Sequence, residues 1–142
     1  MIIAIDFDGT MVTHEYPAVG MNIGAAPVIR SWIERGHKII PLTMRDKQQL
    51  RDAVIWCDKN DIQLFGINEN PGQSDWTDSS KVYANMYIDD AGLGIPLKKD
   101  KSICDRAFVD WNEVKIMFEE IENGNRIFGN TTLHERVVKD GI

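Results

Sequence analysis

Two pairs of aspartates follow apolar runs of the sequence. The first residues of the chain are apolar and lead into Asp6 and Asp8, and a later apolar run leads into Asp89 and Asp90. We predict both runs to be parallel strands, whose carboxyl ends form the edge where open α/β sheets bind ligands. Four carboxylates at one edge repel each other unless a cation lies among them. Because the candidate ligands are oxygen atoms without His or Cys, the pattern predicts a Mg²⁺ site.

A carboxylate beside such a metal can attack phosphorus and form an aspartyl-phosphate. This reaction needs donors for the phosphoryl oxygens, which Thr43, after the second predicted strand, and Lys81 can supply. Two roles stay open for Arg45, because it can contact the phosphate or form an ion pair with Asp46 or another acid.

The elements that position these residues alternate between strand-like and helix-like patterns, which predicts an α/β fold with a parallel sheet. The predicted strands cover residues 1–5, 37–42, 62–65 and 83–88. The predicted helices cover residues 25–35, a stretch that begins after Asp46 and runs past Cys57, and residues 110–122. Thr132 and Glu135 resemble a capping box, which predicts a last short helix.

Length, charge and cysteine content exclude several classes of protein. The chain has 142 residues and a net charge of −6, which suits one globular domain and disfavours nucleic acid as a partner. Cys57 and Cys104 lack metal-site spacing, so we expect both to be buried and reduced. Since no apolar run reaches the length of a membrane span or a signal-peptide core, we expect no membrane association and a cytoplasmic location.

Four ordered motifs resemble those of the haloacid dehalogenase superfamily. They are DFDGT at 6–10, PLTMR at 41–45, Lys81, and YIDD at 87–90. The resemblance covers residues 6–90 and implies a three-layer, Rossmann-like parallel sheet with strand order 5-4-1-2-3, flanked by helices. We expect one domain over residues 1–142, with its C-terminal helices within 110–142.

The resemblance also implies a role for each motif. Asp6 is the nucleophile and Asp8 the general acid and base, while Thr43 and Lys81 hold the phosphoryl group. A second aspartate two residues after the nucleophile resembles the phosphatases and mutases of the superfamily and disfavours dehalogenation. We expect the carboxyl group of Asp8 to turn away from the metal, to lie close to Asp6, and to carry a proton when Asp6 attacks.

By the same resemblance, Mg²⁺ is held by Asp6, the backbone carbonyl of Asp8 and the pair Asp89 and Asp90. Capless relatives use the second acid of such a pair as the direct ligand. We therefore expect Asp90 to bind the metal and Asp89 to support it.

Capping domains are expected to be absent. About 33 residues separate Gly9 from Thr43, and an irregular segment and one helix use them. The sequence therefore predicts a capless, Mg²⁺-dependent phosphatase that hydrolyses a phosphomonoester, whose identity the motifs leave open. The alternatives are a phosphotransferase of the same superfamily and a non-catalytic phosphoacceptor that resembles receiver domains.

Trp56 and Ile55 widen the apolar stripe of the second predicted helix beyond one face. Two explanations stay open, because either the C-terminal tail packs on this surface or it forms the interface of a homodimer.

Overall fold

The apolar run at the start of the chain forms the central strand of a parallel sheet. In the computed structural model, which describes residues 1–126, β1 (Ile2–Ile5) pairs with β2 (Lys38–Pro41) on one side and β3 (Met86–Ile88) on the other. Ile3 lies opposite Ile39 and Met86. Because β1 is covered on both faces, its interior side chains are buried, as a continuous apolar run predicts.

Three helices accompany this sheet, and all three were predicted. They are α1 (Ala25–Glu34), α2 (Lys47–Lys59) and α3 (Trp111–Glu122). Just past the end of α1, Gly36 has a φ of 90°, the left-handed conformation that ends a helix at low cost for glycine. The Asp110 carboxylate caps α3 by accepting hydrogen bonds from the N–H groups of Asn112 and Glu113. Asp46 precedes α2 as predicted, but its side chain makes no capping hydrogen bond.

Aromatic side chains join α1 to α3 beneath the sheet edge that carries the aspartates. The Trp32 ring stacks on Phe118, with 4.1 Å between centroids, and lies 5.7 Å from Trp111. The indole N–H of Trp111 donates a buried hydrogen bond of 2.6 Å to the backbone carbonyl of Thr10. The core thereby fixes the turn that follows the first aspartates.

Two predicted strands are shorter than expected. The segment 62–65 forms a single parallel bridge, between Leu64 and Ile39. The strand predicted over 83–88 begins at Met86, because side chains take the preceding backbone N–H groups. Tyr83 donates its N–H to the Gln73 side-chain carbonyl, and Ala84 donates to the Tyr87 hydroxyl.

A short antiparallel hairpin follows β3 and was not predicted. It pairs β4 (Leu97–Lys98) with β5 (Phe108–Val109). The N–H of Val109 donates to the carbonyl of Gly9 at 3.0 Å, so the hairpin returns the chain to the turn after β1. Two-residue strands carry too little periodic pattern to be detected in a sequence.

Trp56 is half-buried and contacts two residues of the loop between β1 and α1. Its ring packs edge-on against Phe7 at 5.6 Å, and its indole N–H donates to the Asn22 side chain. The loop between β1 and α1 thus packs on part of the apolar surface of α2. The two explanations considered from the sequence, the C-terminal tail and a second copy of the chain, did not include this loop. Ile55 remains exposed.

Other expectations concern features outside the sheet. Cys57 and Cys104 are free and buried, as predicted. The capping box of Thr132 and Glu135 lies outside the described residues. No helix within residues 1–126 is long and apolar enough to cross a membrane.

Candidate metal and phosphoryl-transfer site

Three aspartates meet where β1 and β3 end. Because the two strands are parallel neighbours, the N–H of Asp6 donates to the carbonyl of Ile88 at 2.9 Å, which sets Asp6 beside the residues that follow β3. Carboxylate oxygens of Asp6, Asp89 and Asp90 lie within 4.8 Å of one another. The structure thus brings together three of the four predicted aspartates.

Negative charge dominates this acidic cluster, which consists of Asp6, Asp89 and Asp90. None of the ion pairs formed by residues 1–126 includes one of the three carboxylates. Burial, and then repulsion from Asp89, raises the pKa of Asp6 to about 7, against the smaller lowering effect of a hydrogen bond from Thr10. The cluster therefore favours either a proton on Asp6 or a bound cation.

Thr10 organises the acidic cluster, although the sequence assigned it no role. Its buried hydroxyl donates to an Asp6 carboxylate oxygen at 3.0 Å and accepts the N–H of Asp90 at 3.0 Å. A hydroxyl can do both because it is a donor and an acceptor. Its place within DFDGT was the available signal, but spacing alone does not show that residues 10 and 90 touch.

Gly9 makes the close approach of the two strand ends possible. Its φ of 81° is a conformation that other residues rarely adopt, and a Cβ there would lie 2.6 Å from an Asp90 carboxylate oxygen. A side chain at this position would therefore strain the turn and push into the acidic cluster.

The Asp8 side chain contacts an arginine. Both oxygens of its carboxylate accept hydrogen bonds from the Arg45 guanidinium, one from Nε and one from Nη2, each at 2.7 Å. The Arg45 guanidinium, and not the carboxyl group of Asp6, is thus the hydrogen-bond partner of the Asp8 side chain. Bidentate hydrogen bonds between a guanidinium and a carboxylate are strong and fix the orientation of the side chain.

The two roles left open for Arg45 can now be separated. Arg45 is 3% exposed, and its three remaining guanidinium N–H groups donate to the backbone carbonyls of Pro17, Ala18 and Gln49. A guanidinium has five N–H groups in total, so every one of them is used inside the protein. The structure places Arg45 on an acid, Asp8, and leaves it no donor for a phosphate.

Thr43 and Lys81 were expected to hold the phosphoryl group. Thr43 lies just beyond β2, where its N–H donates to the Asn68 side chain and its hydroxyl accepts the N–H of Arg45. Its hydroxyl hydrogen is not used in that contact. Lys81 is exposed, with its ammonium group 5.8 Å from the Tyr87 ring centroid, and it forms no ion pair with an aspartate within the described residues.

Gln73 is a second residue that the sequence did not indicate. Its buried side-chain amide donates to the carbonyls of Ser79 and Lys81, and its oxygen accepts the N–H of Tyr83. Gln73 therefore fixes the backbone that carries Lys81. Nothing in the sequence pattern marks one glutamine in a polar loop for this task.

The fold and site together define a small α/β protein with an acidic cluster at the carboxyl edge of a three-stranded parallel sheet. No protein-family model and no curated protein matches the chain. A solved structure of a conserved protein from Bacteroides thetaiotaomicron is similar, at 29% sequence identity and a TM-score of 0.69. The match covers 84% of this chain and 90% of that one, so the likeness extends over most of both folds.

Proposed function

We propose that the chain is a Mg²⁺-dependent phosphomonoester hydrolase of the haloacid dehalogenase type, built on a three-layer, Rossmann-like core without a cap domain. The observation that carries the proposal is the acidic cluster at the carboxyl edge of β1 and β3, which has no ion-pair partner among residues 1–126. It coincides with the motifs that resemble this superfamily. The similar solved structure supports the fold and not the reaction.

The donor set fits a hard divalent cation. All three side chains offer carboxylate oxygens, and burial together with the neighbouring Asp89 raises the pKa of Asp6, as expected where negative groups crowd together. Asp6, Asp90 and the backbone carbonyl of Asp8 would hold Mg²⁺, with Asp89 as support. The bound ion would keep Asp6 ionised and offset the charge of the phosphoryl oxygens.

Asp6 and Asp8 divide the reaction between them. An Asp6 oxygen attacks phosphorus and forms the aspartyl-phosphate, while the bond to the leaving oxygen breaks and that oxygen takes a proton from Asp8. Water then attacks phosphorus and gives a proton to Asp8, and the bond to Asp6 breaks to release phosphate. Asp8 therefore has to carry its proton before the first step, and between the two steps it is the carboxylate that the pair with Arg45 would stabilise.

The segments around the site are open loops. Residues 9–24 contain turns and isolated bridges, and residues 66–85 contain turns and one short 3-10 helix, Gln73–Asp75. Lys81 lies on the second of these segments and would meet the phosphoryl oxygens from there. Thr43, at the end of β2, has a hydroxyl hydrogen for the same group.

Turnover of p-nitrophenyl phosphate tests the proposal. We expect multiple turnovers with Mg²⁺, loss of activity in EDTA, and slower turnover with Ca²⁺, because the larger ion accepts more ligands and disturbs in-line geometry. Asp6→Asn is the matched control, since it keeps the shape of the side chain and removes the nucleophile. Stoichiometric phosphorylation without turnover would instead indicate a phosphoacceptor module, and equal rates with both ions would contradict the mechanism.

A further inference from the structure

An exposed aromatic side chain is held beside Asp8. The loop after β1 carries Tyr16, which is 53% exposed, and its ring centroid lies 5.3 Å from the guanidinium carbon of Arg45. The same guanidinium donates to the carbonyls of the next two residues, Pro17 and Ala18. The backbone under Tyr16 is thus fixed by a buried group, although its ring is open to solvent.

Arg45 connects this ring to the proposed reaction. It holds the Asp8 carboxylate through two hydrogen bonds of 2.7 Å, so Asp8 and Tyr16 are positioned by one rigid, buried side chain. In the proposed mechanism the leaving oxygen meets Asp8. A leaving group that reaches Asp8 would therefore come near the groups that Arg45 contacts, and the Tyr16 ring is one of them.

A second apolar side chain stands next to Arg45. Met44 comes between Thr43 and Arg45 and is 99% exposed. A thioether adapts its shape and packs well on aromatic rings. Arg45 therefore has an exposed aromatic group over its guanidinium and an exposed methionine beside it in the chain, in a site whose metal-binding part is acidic.

We infer that Tyr16 is a specificity-determining residue that stacks on a flat aromatic ring in the leaving group of the substrate. The inference rests on the proposed function, because it places the leaving group beside Asp8. Offset stacking on a tyrosine favours aryl groups and nucleobases over open-chain or sugar leaving groups. Arg45 acts here as a positioning residue, since its donors are all used within the protein.

Two pairs of substrates separate stacking from leaving-group reactivity. Naphthyl and phenyl phosphate release phenols of similar acidity but differ in ring area. Adenosine 5′-monophosphate and ribose 5-phosphate share the same ester and differ by a nucleobase. The ratio of kcat/KM within each pair therefore measures recognition of the ring, and the two pairs distinguish an aryl ligand from a nucleobase ligand.

Three variants test the role of the ring. Tyr16→Leu should lower the ratio in at least one pair about fivefold, whereas Tyr16→Phe should keep it, because stacking needs the ring and not the hydroxyl. Tyr83→Leu is the matched control. Tyr83 is also an exposed tyrosine, but its neighbour Asn85 bonds to Ile2 at the opposite end of β1, so both ratios should stay as in the unmodified protein.

Binding of naphthyl phosphonate, which is not hydrolysed, separates failure of this inference from failure of the proposed function. If the protein turns over phosphomonoesters but Tyr16→Leu leaves both ratios unchanged, the aromatic subsite is refuted and the hydrolase stands. If turnover is absent but Tyr16→Leu weakens phosphonate binding about fivefold, the subsite stands and the hydrolase fails. Loss of the ratio in Tyr16→Phe as well as in Tyr16→Leu would also refute stacking.

Discussion

Asp6 and Asp8 are two residues apart in sequence and yet lie in opposite electrostatic surroundings. Asp6 joins a cluster of carboxylates that forms no ion pair with the cations of residues 1–126, and its pKa is raised to about 7. Asp8 is held by a guanidinium that is itself buried and fully hydrogen-bonded. The difference teaches that two acids on one short turn are distinguished by their partners: Asp6 lies among carboxylates, and Asp8 is paired with Arg45. The roles proposed for them differ for the same reason.

The largest expected effects come from replacing each aspartate by asparagine. Asp6→Asn should lower kcat by roughly 10³ or more and form no covalent adduct, since it lacks the nucleophile. Asp8→Asn should still form an aspartyl-phosphate from acetyl phosphate, whose leaving group needs no proton, and should hydrolyse it slowly. Intact-mass measurement detects the adduct. An adduct on Asp6→Asn but not on Asp8→Asn would reverse the assigned roles.

Replacing Arg45 tests how much its guanidinium group stabilises the folded protein through Asp8. Arg45→Met leaves the Asp8 carboxylate part-buried without its partner, so we expect the free energy of unfolding to fall by about 3 kcal/mol or more. Arg35→Met is the matched control, because Arg35 forms a bidentate pair with Glu122 in a more exposed setting, and its loss should cost about 1 kcal/mol or less. Urea unfolding measures both changes.

A double variant sharpens the interpretation of that result. If the cost of Arg45→Met comes from the uncompensated charge of Asp8, then adding Asp8→Asn should recover part of the lost stability. Equal losses in the single and double variants would instead assign the cost to the backbone carbonyls of Pro17, Ala18 and Gln49.

The proposed mechanism assigns Lys81 to the phosphoryl oxygens beside the acidic cluster. Lys81→Ala should lower kcat by roughly 10² if the ammonium reaches the phosphoryl oxygens during the reaction. Lys115→Ala is the control, since Lys115 is exposed on α3 and lies 4.0 Å from Glu119. A change within twofold for Lys81→Ala would remove this lysine from the site.

The sequence predicted the parts of the fold that local pattern controls. Apolar runs marked β1 and β3, helical stripes marked the three helices, and the aspartates at strand ends followed from parallel pairing. Contacts between side chains far apart in sequence were not predictable in this way. Thr10 and Asp90 are 80 positions apart, and Asp8 and Arg45 are 37 apart. Such contacts depend on the paths that the loops take at the end of the sheet. The spacing of residues along the chain does not reveal those paths.

The smallest predicted effect is a change with pH in the free energy of unfolding of the metal-free protein. Because the pKa of Asp6 is raised from its ordinary 3.8 to about 7, the folded state binds more protons than the unfolded state between these values. The free energy of unfolding should therefore fall as pH rises from about 4 to 7 and then level off. One pKa unit corresponds to about 1.4 kcal/mol, and since Asp6 is only partly buried, solvent screening should reduce the total to about 2 kcal/mol.

Asp6→Asn cannot ionise and so should avoid this loss. In EDTA at pH 8 we expect the variant to be more stable than the unmodified protein by about 2 kcal/mol, with the difference vanishing near pH 4. Mg²⁺ should stabilise the unmodified protein at pH 8 and the variant much less, because the cation binds the ionised cluster. Thermal unfolding across this pH range measures both effects. If the difference in unfolding free energy between the two proteins stays constant from pH 4 to 8, the pKa of Asp6 is not raised. The contrast drawn between Asp6 and Asp8 would then be wrong for Asp6.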